Sequence, residues 1–277
     1  MDPATQKRVA FQISEEGTEE ETRRFFVYLR EMGLSVKGGT TDGSPLYPKV
    51  IAEVFPGAKH QVCRFHILKE INLLVLRALA GFRKSLPKPP RRQRGRPKKG
   101  QKRKLTPAEI SRRQVWENRY LWVQKELTAS QRRRLKAICR RQPVLRALRE
   151  LVNLVYNLFD RRCHMETALR KLEAIRKLKV FREFPQLLPI WKKLRSKNLE
   201  KALLFLDDEL LEGTSNAVER ANRAYQMIQK TVYRVRARHM IEGRIKLDML
   251  LEKERRERKK TLQAAQNPFW APFVEAA

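Results

Sequence analysis

Asp42, set among glycines, is the first residue in the sequence whose position suggests chemistry. The preceding residues predict a short strand, so the carboxylate would lie at the carboxyl end of that strand, where open α/β sheets bind ligands. Gly38, Gly39 and Gly43 allow the tight backbone that such a site needs. An ordinary Asp-Gly turn is the alternative, and the dipeptide alone does not decide between the two.

A second acidic candidate, Glu219, lies in the pattern Asn-x-x-Glu-x-x-Asn. Asn216 and Asn222 stand three residues to either side, so the three side chains share one face of the helix that the pattern predicts. The alternative is structural. Asn216 would cap that helix, and Glu219 would complete a capping box.

The surroundings of the two acids resemble those in one known family. The run Thr-Thr-Asp-Gly is followed by a predicted helix and by His-Gln-Val-Cys-Arg-Phe-His, which ends at His66. This order resembles the second-aspartate region of DDE transposases of the bacterial insertion-sequence and Mutator-like group. There a Cys-x-x-His pair lies on the next strand, and the third acid lies on a helix after an insertion.

The resemblance implies roles for individual residues. Asp42 and Glu219 would be catalytic metal ligands, with Asn216 and Asn222 as accessory neighbours of Glu219. Cys63 and His66 would be an accessory pair that either positions DNA near the cut or packs the strand. The chemistry would use two divalent cations, Mg²⁺ or Mn²⁺, which prefer carboxylate oxygens.

The resemblance also implies a first aspartate on the central strand of a ribonuclease H-like sheet. Asp2 falls near the end of the following strand in the family order, so it is not assigned to that position. We therefore expect a truncated transposase that is weakly active or inactive as given. The alternative is a non-catalytic basic DNA-binding protein retained from a transposase.

The formal net charge of +32, from 62 basic and 30 acidic residues, indicates a polyanionic partner. Nucleic acid is the first candidate, since each phosphate that is neutralised releases a condensed counterion. The sequence has no run of about 18 apolar residues and no signal-peptide pattern. We expect a cytoplasmic protein without a membrane partner. It would bind double-stranded DNA at element ends and targets, as a homo-oligomer if the resemblance holds.

Residues 83–104 form a predicted basic loop with twelve basic residues and no acidic one. Within it, Arg94-Gly-Arg-Pro resembles the AT-hook core, whose arginines enter a narrow A·T-rich minor groove. Plain phosphate binding is the alternative. The predicted DNA contacts are Arg91, Arg92, Arg94, Arg96, Lys98, Lys99, Lys102, Arg103, Lys104, Arg223 and Lys230.

The order of predicted elements indicates an α/β fold with a large all-α insertion. It corresponds to an incomplete ribonuclease H-like core, its central first strand missing, interrupted by a helical domain. Residues 1–66 would form strand, helix, strand, helix and strand; residues 67–212 the helical insertion; residues 213–265 the core helices with the third acid; and residues 266–277 a tail.

The expected strands cover residues 8–13, 34–41 and 59–65. Helices are expected at 18–32, 116–127 and 199–211, and at 144–159, where the apolar residues form one stripe typical of a bundle core. A long helix from Gly213 past Leu250 is expected to break or kink near Gly243. Trp116, Tyr120 and Trp122 allow two interpretations, stacking on unpaired bases or packing in the helical core.

Overall fold

The computed structural model describes residues 2, 8–14, 16–88, 105–140, 142–227 and 237–265, with side chains as far as residue 251 apart from residue 224. The chain divides into two compact units: Leu34–Ser215, the larger unit, and Met1–Gly33 together with Asn216–Ala277, the smaller unit. The elements in chain order are α1 Glu19–Glu31, β1 Gly38–Thr41, α2 Leu46–Val54, β2 Lys59–Val62, α3 Arg64–Ser85, α4 Pro107–Glu117, α5 Ala129–Arg140, α6 Pro143–Leu158, α7 Met165–Arg176, α8 Val180–Glu183, α9 Leu188–Leu194, α10 Lys197–Lys201, α11 Asn216–Met227 and α12 Arg238–Ala265. Short 3₁₀ helices cover Arg119–Trp122, Pro185–Leu187 and Leu204–Leu206.

The larger unit begins with a parallel strand pair. β1 and β2 pair in register from Gly38 opposite Lys59 to Thr41 opposite Val62, and α2 forms the crossover between them. Val50, Ile51 and Val54 of α2 are buried. The predicted strand–helix–strand unit around Asp42 is therefore confirmed in this part of the chain.

The helical block of the larger unit, α3 to the 3₁₀ helix Leu204–Leu206, forms one continuous hydrophobic core. The α3 helix buries Ile67, Ile71, Val75 and Leu79, each four residues from the next. The apolar stripe predicted on α6 is also confirmed as core. Its buried residues are Leu145, Leu148, Leu151, Val152, Val155 and Leu158.

The connection between α4 and α5 is held by side chains of α6. The guanidinium group of Arg149 donates to the backbone oxygens of Leu121, Trp122 and Gln124 at 2.9–3.1 Å. The Tyr156 hydroxyl donates to the Val123 oxygen at 2.6 Å. Because these carbonyls are bonded to side chains, the chain forms a 3₁₀ turn here, and the expectation of an α-helix through residues 116–127 is wrong.

In the smaller unit, α1 forms as predicted between residues 18 and 32. Thr18 is its N-cap, and Glu21 completes a capping box. Gly33 follows with a φ of 81° and ends the helix. Elsewhere in the unit, Arg8 pairs with Asp248 at 2.9 Å and lies over the ring of Tyr225.

Two further expectations fail in the smaller unit. Residues 8–13 do not form a strand, and no strand among the described residues pairs with them. Alternating side chains without a partner strand do not make a ladder. Helix α12 also continues through Gly243 without a break, and the expected helix from Gly213 is instead interrupted at Ala237, directly before α12. One glycine costs about 1 kcal/mol in a helix interior, which is too little to end a helix of 28 residues.

Candidate active site

Asp42 immediately follows β1, at the carboxyl end of the parallel pair, as the sequence predicts. Its Oδ1 atom accepts a hydrogen bond from the Ser44 amide at 2.9 Å, which fixes the carboxylate at the mouth of the loop. The side chain is exposed, and Oδ2 makes no hydrogen bond to the described part of the chain. One carboxylate oxygen is thus exposed to solvent and accessible to a cation.

The backbone conformation of the residue after Asp42 requires glycine, which is Gly43. Its φ is 90°, a left-handed conformation that other residues adopt only with strain. A Cβ atom here would also lie 3.1 Å from Cγ1 of Val62. The Asp-Gly pair therefore turns the chain sharply at the strand end, so the turn and the exposed carboxylate occur together.

Cys63 and His66 are placed differently from the prediction. The expected strand over residues 59–65 ends at Val62, Cys63 is the N-cap of α3, and His66 lies in the first turn of that helix. The Cys63 amide donates to the Thr41 oxygen at 2.7 Å, and its fully buried Sγ accepts from the Ser215 amide at 3.3 Å. These contacts favour packing, rather than DNA contact, as the role of Cys63.

The end of the larger unit returns to this same strand edge. The Arg64 amide donates to the Gly213 oxygen at 2.9 Å, and the Thr40 hydroxyl donates to the Glu212 oxygen at 2.7 Å. We call Leu211–Ser215 the return segment. It brings the polypeptide back beside Asp42's strand after the whole helical block, and Glu219 follows four residues later in the sequence.

Gln61 of β2 fixes the helical block to the strand pair. It is completely buried, and its amide nitrogen donates to the oxygens of Val62 at 2.8 Å and Ala202 at 3.0 Å. Its oxygen accepts from the Phe205 amide at 3.0 Å. Because Phe205 bonds to Gln61 rather than to its own helix, the helix expected over residues 199–211 is replaced by α10 and a 3₁₀ turn.

Glu219 lies in the first turn of α11, in the smaller unit, and is half-buried. Asn216 is the first residue of the helix itself, so the cap position falls on Ser215 and Glu219 stands one position beyond the third residue of the helix. The helix therefore begins one residue earlier than a cap at Asn216 would place it. Asn222 and Arg223 lie one turn further along and are exposed.

The sequence model of the ISL3 family of DDE transposases, described as "Transposase", matches residues 1–245. The chain belongs to this transposase family. No curated protein and no solved structure matches it. Members of the family act on DNA and use divalent metal ions. Among the helices that the structure describes, none is both long and apolar enough to span a bilayer.

Most of the predicted DNA contacts of the transposase cannot be placed. The AT-hook-like run, the loop contacts from Arg91 to Lys104, and Lys230 lie outside the described residues, as does the tail at 266–277. The described chain adds a basic cleft that sequence reasoning missed. We call it the α5 cleft, and it has a volume of about 710 Å³. Its charged lining residues are Lys125, Glu126, Arg132, Lys136, Arg140, Arg146, Arg149 and Glu150.

His60 of β2, which the sequence did not single out, contacts the strand that precedes Asp42. The Nε2 atom of His60 is 2.8 Å from the Thr41 hydroxyl, one residue before Asp42. Burial, and then the charge of Lys201, lower the pKa of His60 below its usual value. The imidazole is therefore neutral in the folded transposase at pH 7.

This lowered pKa predicts a pH-dependent stability. Below about pH 6.5 the unfolded chain binds a proton at His60 while the folded protein resists it, so stability falls as the pH drops. We expect wild-type protein to unfold at lower urea concentration at pH 5.5 than at pH 7.5, and His60→Gln to reduce that difference. Equal pH dependence in the His60→Gln variant would contradict the prediction.

Proposed function

We propose that this transposase catalyses metal-dependent DNA strand cleavage and strand transfer for an insertion sequence, with Asp42 and Glu219 as ligands of Mg²⁺ or Mn²⁺. The single observation that carries the proposal is the return segment. It ends beside the strand pair that holds Asp42, only four residues before Glu219 in the sequence. Membership of the DDE family supports the same assignment.

The donor set at Asp42 fits a hard divalent cation. One carboxylate oxygen is oriented by Ser44, and the other is exposed at a strand end. Burial, and then the charge of Asp42, raise the pKa of Tyr47, so its phenol keeps its proton close to the carboxylate. When bound, a pair of such cations activates water or a 3′-hydroxyl and stabilises the leaving oxygen of the phosphodiester. We further propose that the strand pair belongs to a ribonuclease H-like core interrupted by the helical block.

The residues of this chain would hold and orient the DNA. Several cations of the α5 cleft, including Lys136, Arg140 and Arg146, make no ion pair with described acidic residues. They are available to neutralise phosphates, and each contact adds to the salt dependence of binding. Arg223, one turn after Glu219, extends the positive charge near the proposed ligand. We propose that the active form is a homo-oligomer assembled on element ends.

The assignment of the two acids can be tested by affinity cleavage of the polypeptide. With Fe²⁺ in place of Mg²⁺, ascorbate and peroxide cut the backbone close to the bound metal. We expect cuts near Asp42 and near Glu219, suppressed by excess Mg²⁺ or Mn²⁺. Either Asp42→Asn or Glu219→Gln should abolish both cuts, because the two ligands share the metals.

A matched control is Asp208→Asn, since Asp208 is an acid paired with Lys59 at 2.6 Å, at the amino end of the strand pair that has Asp42 at its carboxyl end. It should leave both cuts unchanged. If each acid variant removes only its own cut, the shared site is refuted. If no metal-dependent cut appears at either place, only the alternative of a non-catalytic DNA-binding protein is left.

Catalysis by the 277-residue chain is expected to be weak. We assign two acidic ligands in it, whereas the DDE mechanism uses three, so the metals would be poorly held. Incubation with labelled element-end duplex and Mn²⁺ should give little or no nicked product, although the same preparation retards that duplex in a gel. Rapid, metal-dependent nicking abolished by Asp42→Asn would show that the chain supplies the missing ligand.

A further inference from the structure

Four side chains at the junction of α3, α4 and the following 3₁₀ helix form an alternating cluster, which we call the arginine–aromatic stack. It consists of Arg83, Trp116, Arg119 and Tyr120. The Cζ atom of Arg119 lies 4.2 Å from the ring centre of Trp116 and 4.4 Å from that of Tyr120. Arg83 lies over Trp116 at 4.7 Å. Distances this short indicate cation–π contacts.

The stack is rigidly held although its rings are exposed. Arg119 donates to the Trp116 oxygen at 2.8 Å and to the Tyr120 hydroxyl at 3.3 Å, which fixes the guanidinium plane. Trp122, two residues after Tyr120, is completely buried, and its indole nitrogen donates to the Leu145 oxygen. The 3₁₀ helix is therefore anchored by Trp122 and presents Tyr120 outward.

Exposure separates these rings from the core. Trp116 is 42% exposed and Tyr120 is 58% exposed, whereas Trp122 is 0% exposed. Arg83 and Arg119 both lie over Trp116, whereas Tyr120 is the more exposed ring and is contacted by Arg119. An exposed ring with a fixed cation against it is a feature of a surface that stacks nucleobases.

The charges near the arginine–aromatic stack indicate which kind of molecule would bind there. Next to it lies a second cleft, of about 430 Å³, whose lining includes Asn118, Arg134 and Arg140. The one acid adjacent in sequence, Glu117, is paired with Arg113 at 2.6 Å. The strongly basic segment 89–104 is covalently joined between α3 and α4, which carry Arg83 and Trp116. A phosphate-bearing chain with exposed bases matches this combination of rings and cations.

We propose that the exposed ring of Tyr120 forms a stacking platform for an unpaired base of the DNA substrate, and that Trp116 supports it through the guanidinium group of Arg119, which contacts both rings. The inference rests on the proposed function, because it takes DNA as the partner. Bases inside a duplex cannot reach a protein ring, so the platform acts on a base that is unpaired or extruded. The free-energy cost of extruding a base is lowest where the base is already unpaired. The platform therefore distinguishes distorted or opened DNA from intact duplex.

The test compares two DNA duplexes with the same paired sequence, one fully paired and one with a single additional 2-aminopurine bulged from one strand. Stacking one base is worth roughly 1–3 kcal/mol, so we expect the full chain to bind the bulged duplex about five- to a hundredfold more tightly at the same salt concentration. Stacking on Tyr120 should also quench the 2-aminopurine fluorescence. Tyr120→Leu and Trp116→Leu should each lose most of the preference and the quenching.

Two variants serve as controls. Tyr120→Phe keeps the ring and should keep the preference. Tyr28→Leu removes a similarly exposed tyrosine, 53% exposed, in the smaller unit and should change nothing.

If wild-type protein binds both duplexes equally, or if Tyr120→Leu weakens both equally, the platform is refuted while DNA binding stands. If it binds neither duplex, the proposed function fails together with the platform. Preferential binding of an RNA or an acidic peptide at Tyr120 would also overturn the inference.

Discussion

Replacement of Trp122 by alanine is expected to destabilise the larger unit by about 4 kcal/mol. Trp122 is fully buried, and its indole nitrogen bonds to the Leu145 oxygen, so the change leaves a large cavity and an unpaired carbonyl. The cavity lies between the 3₁₀ helix and α6, which also holds that helix through Arg149. The loss should be visible as a lower urea midpoint in circular dichroism at 222 nm.

The matched control is Trp116→Ala, six residues earlier. The same chemical change at a ring that is 42% exposed loses mainly two cation–π contacts and should cost roughly 1–2 kcal/mol. Similar losses for the two variants would show that Trp122 is not the anchor of this segment.

The second large effect is expected for Gln61→Leu. Leucine has a similar size but cannot bond to Ala202 or Phe205, so a buried carbonyl and a buried amide lose their partner. Each unsatisfied group costs about 1–3 kcal/mol, and we expect a total of roughly 3 kcal/mol. Gln124→Leu, at an exposed position, is the control and should have little effect. A loss below about 1 kcal/mol in Gln61→Leu would mean that water replaces the lost bonds.

The sequence predicted the immediate surroundings of Asp42 well because every signal there is local. These signals are the glycines around Asp42, Pro45 and Pro48 at the start of α2, and the apolar residues of α2. They act within about 20 residues, and the observed strands and helix follow from them. The apolar stripe of α6 was equally clear, since six buried positions repeat at helical spacing.

The errors at residues 116–127 and 199–211 have one physical origin, which is bonding between distant parts of the chain. Gln61 determines the backbone at Ala202 and Phe205, and Arg149 determines the turn at Leu121 and Trp122. A polar residue such as Gln61 directly before Val62 and Cys63 was the available signal, yet Ala202 and Phe205, which it bonds, lie more than 140 residues away. Trp116 and Trp122 likewise look alike in sequence, and only the 3₁₀ turn between them exposes one and buries the other.

The entry to and the exit from the helical block are a single hydrogen bond apart, from the Arg64 amide to the Gly213 oxygen at 2.9 Å. A module whose two ends meet at one point of its host can be lengthened, shortened or exchanged without straining the strands that it leaves. Changes in the helical block can therefore leave Asp42 and its strand pair in place. A chimera that carries a related helical block between Arg64 and Gly213 should keep the strand pair, which makes the block a separately exchangeable part of the chain.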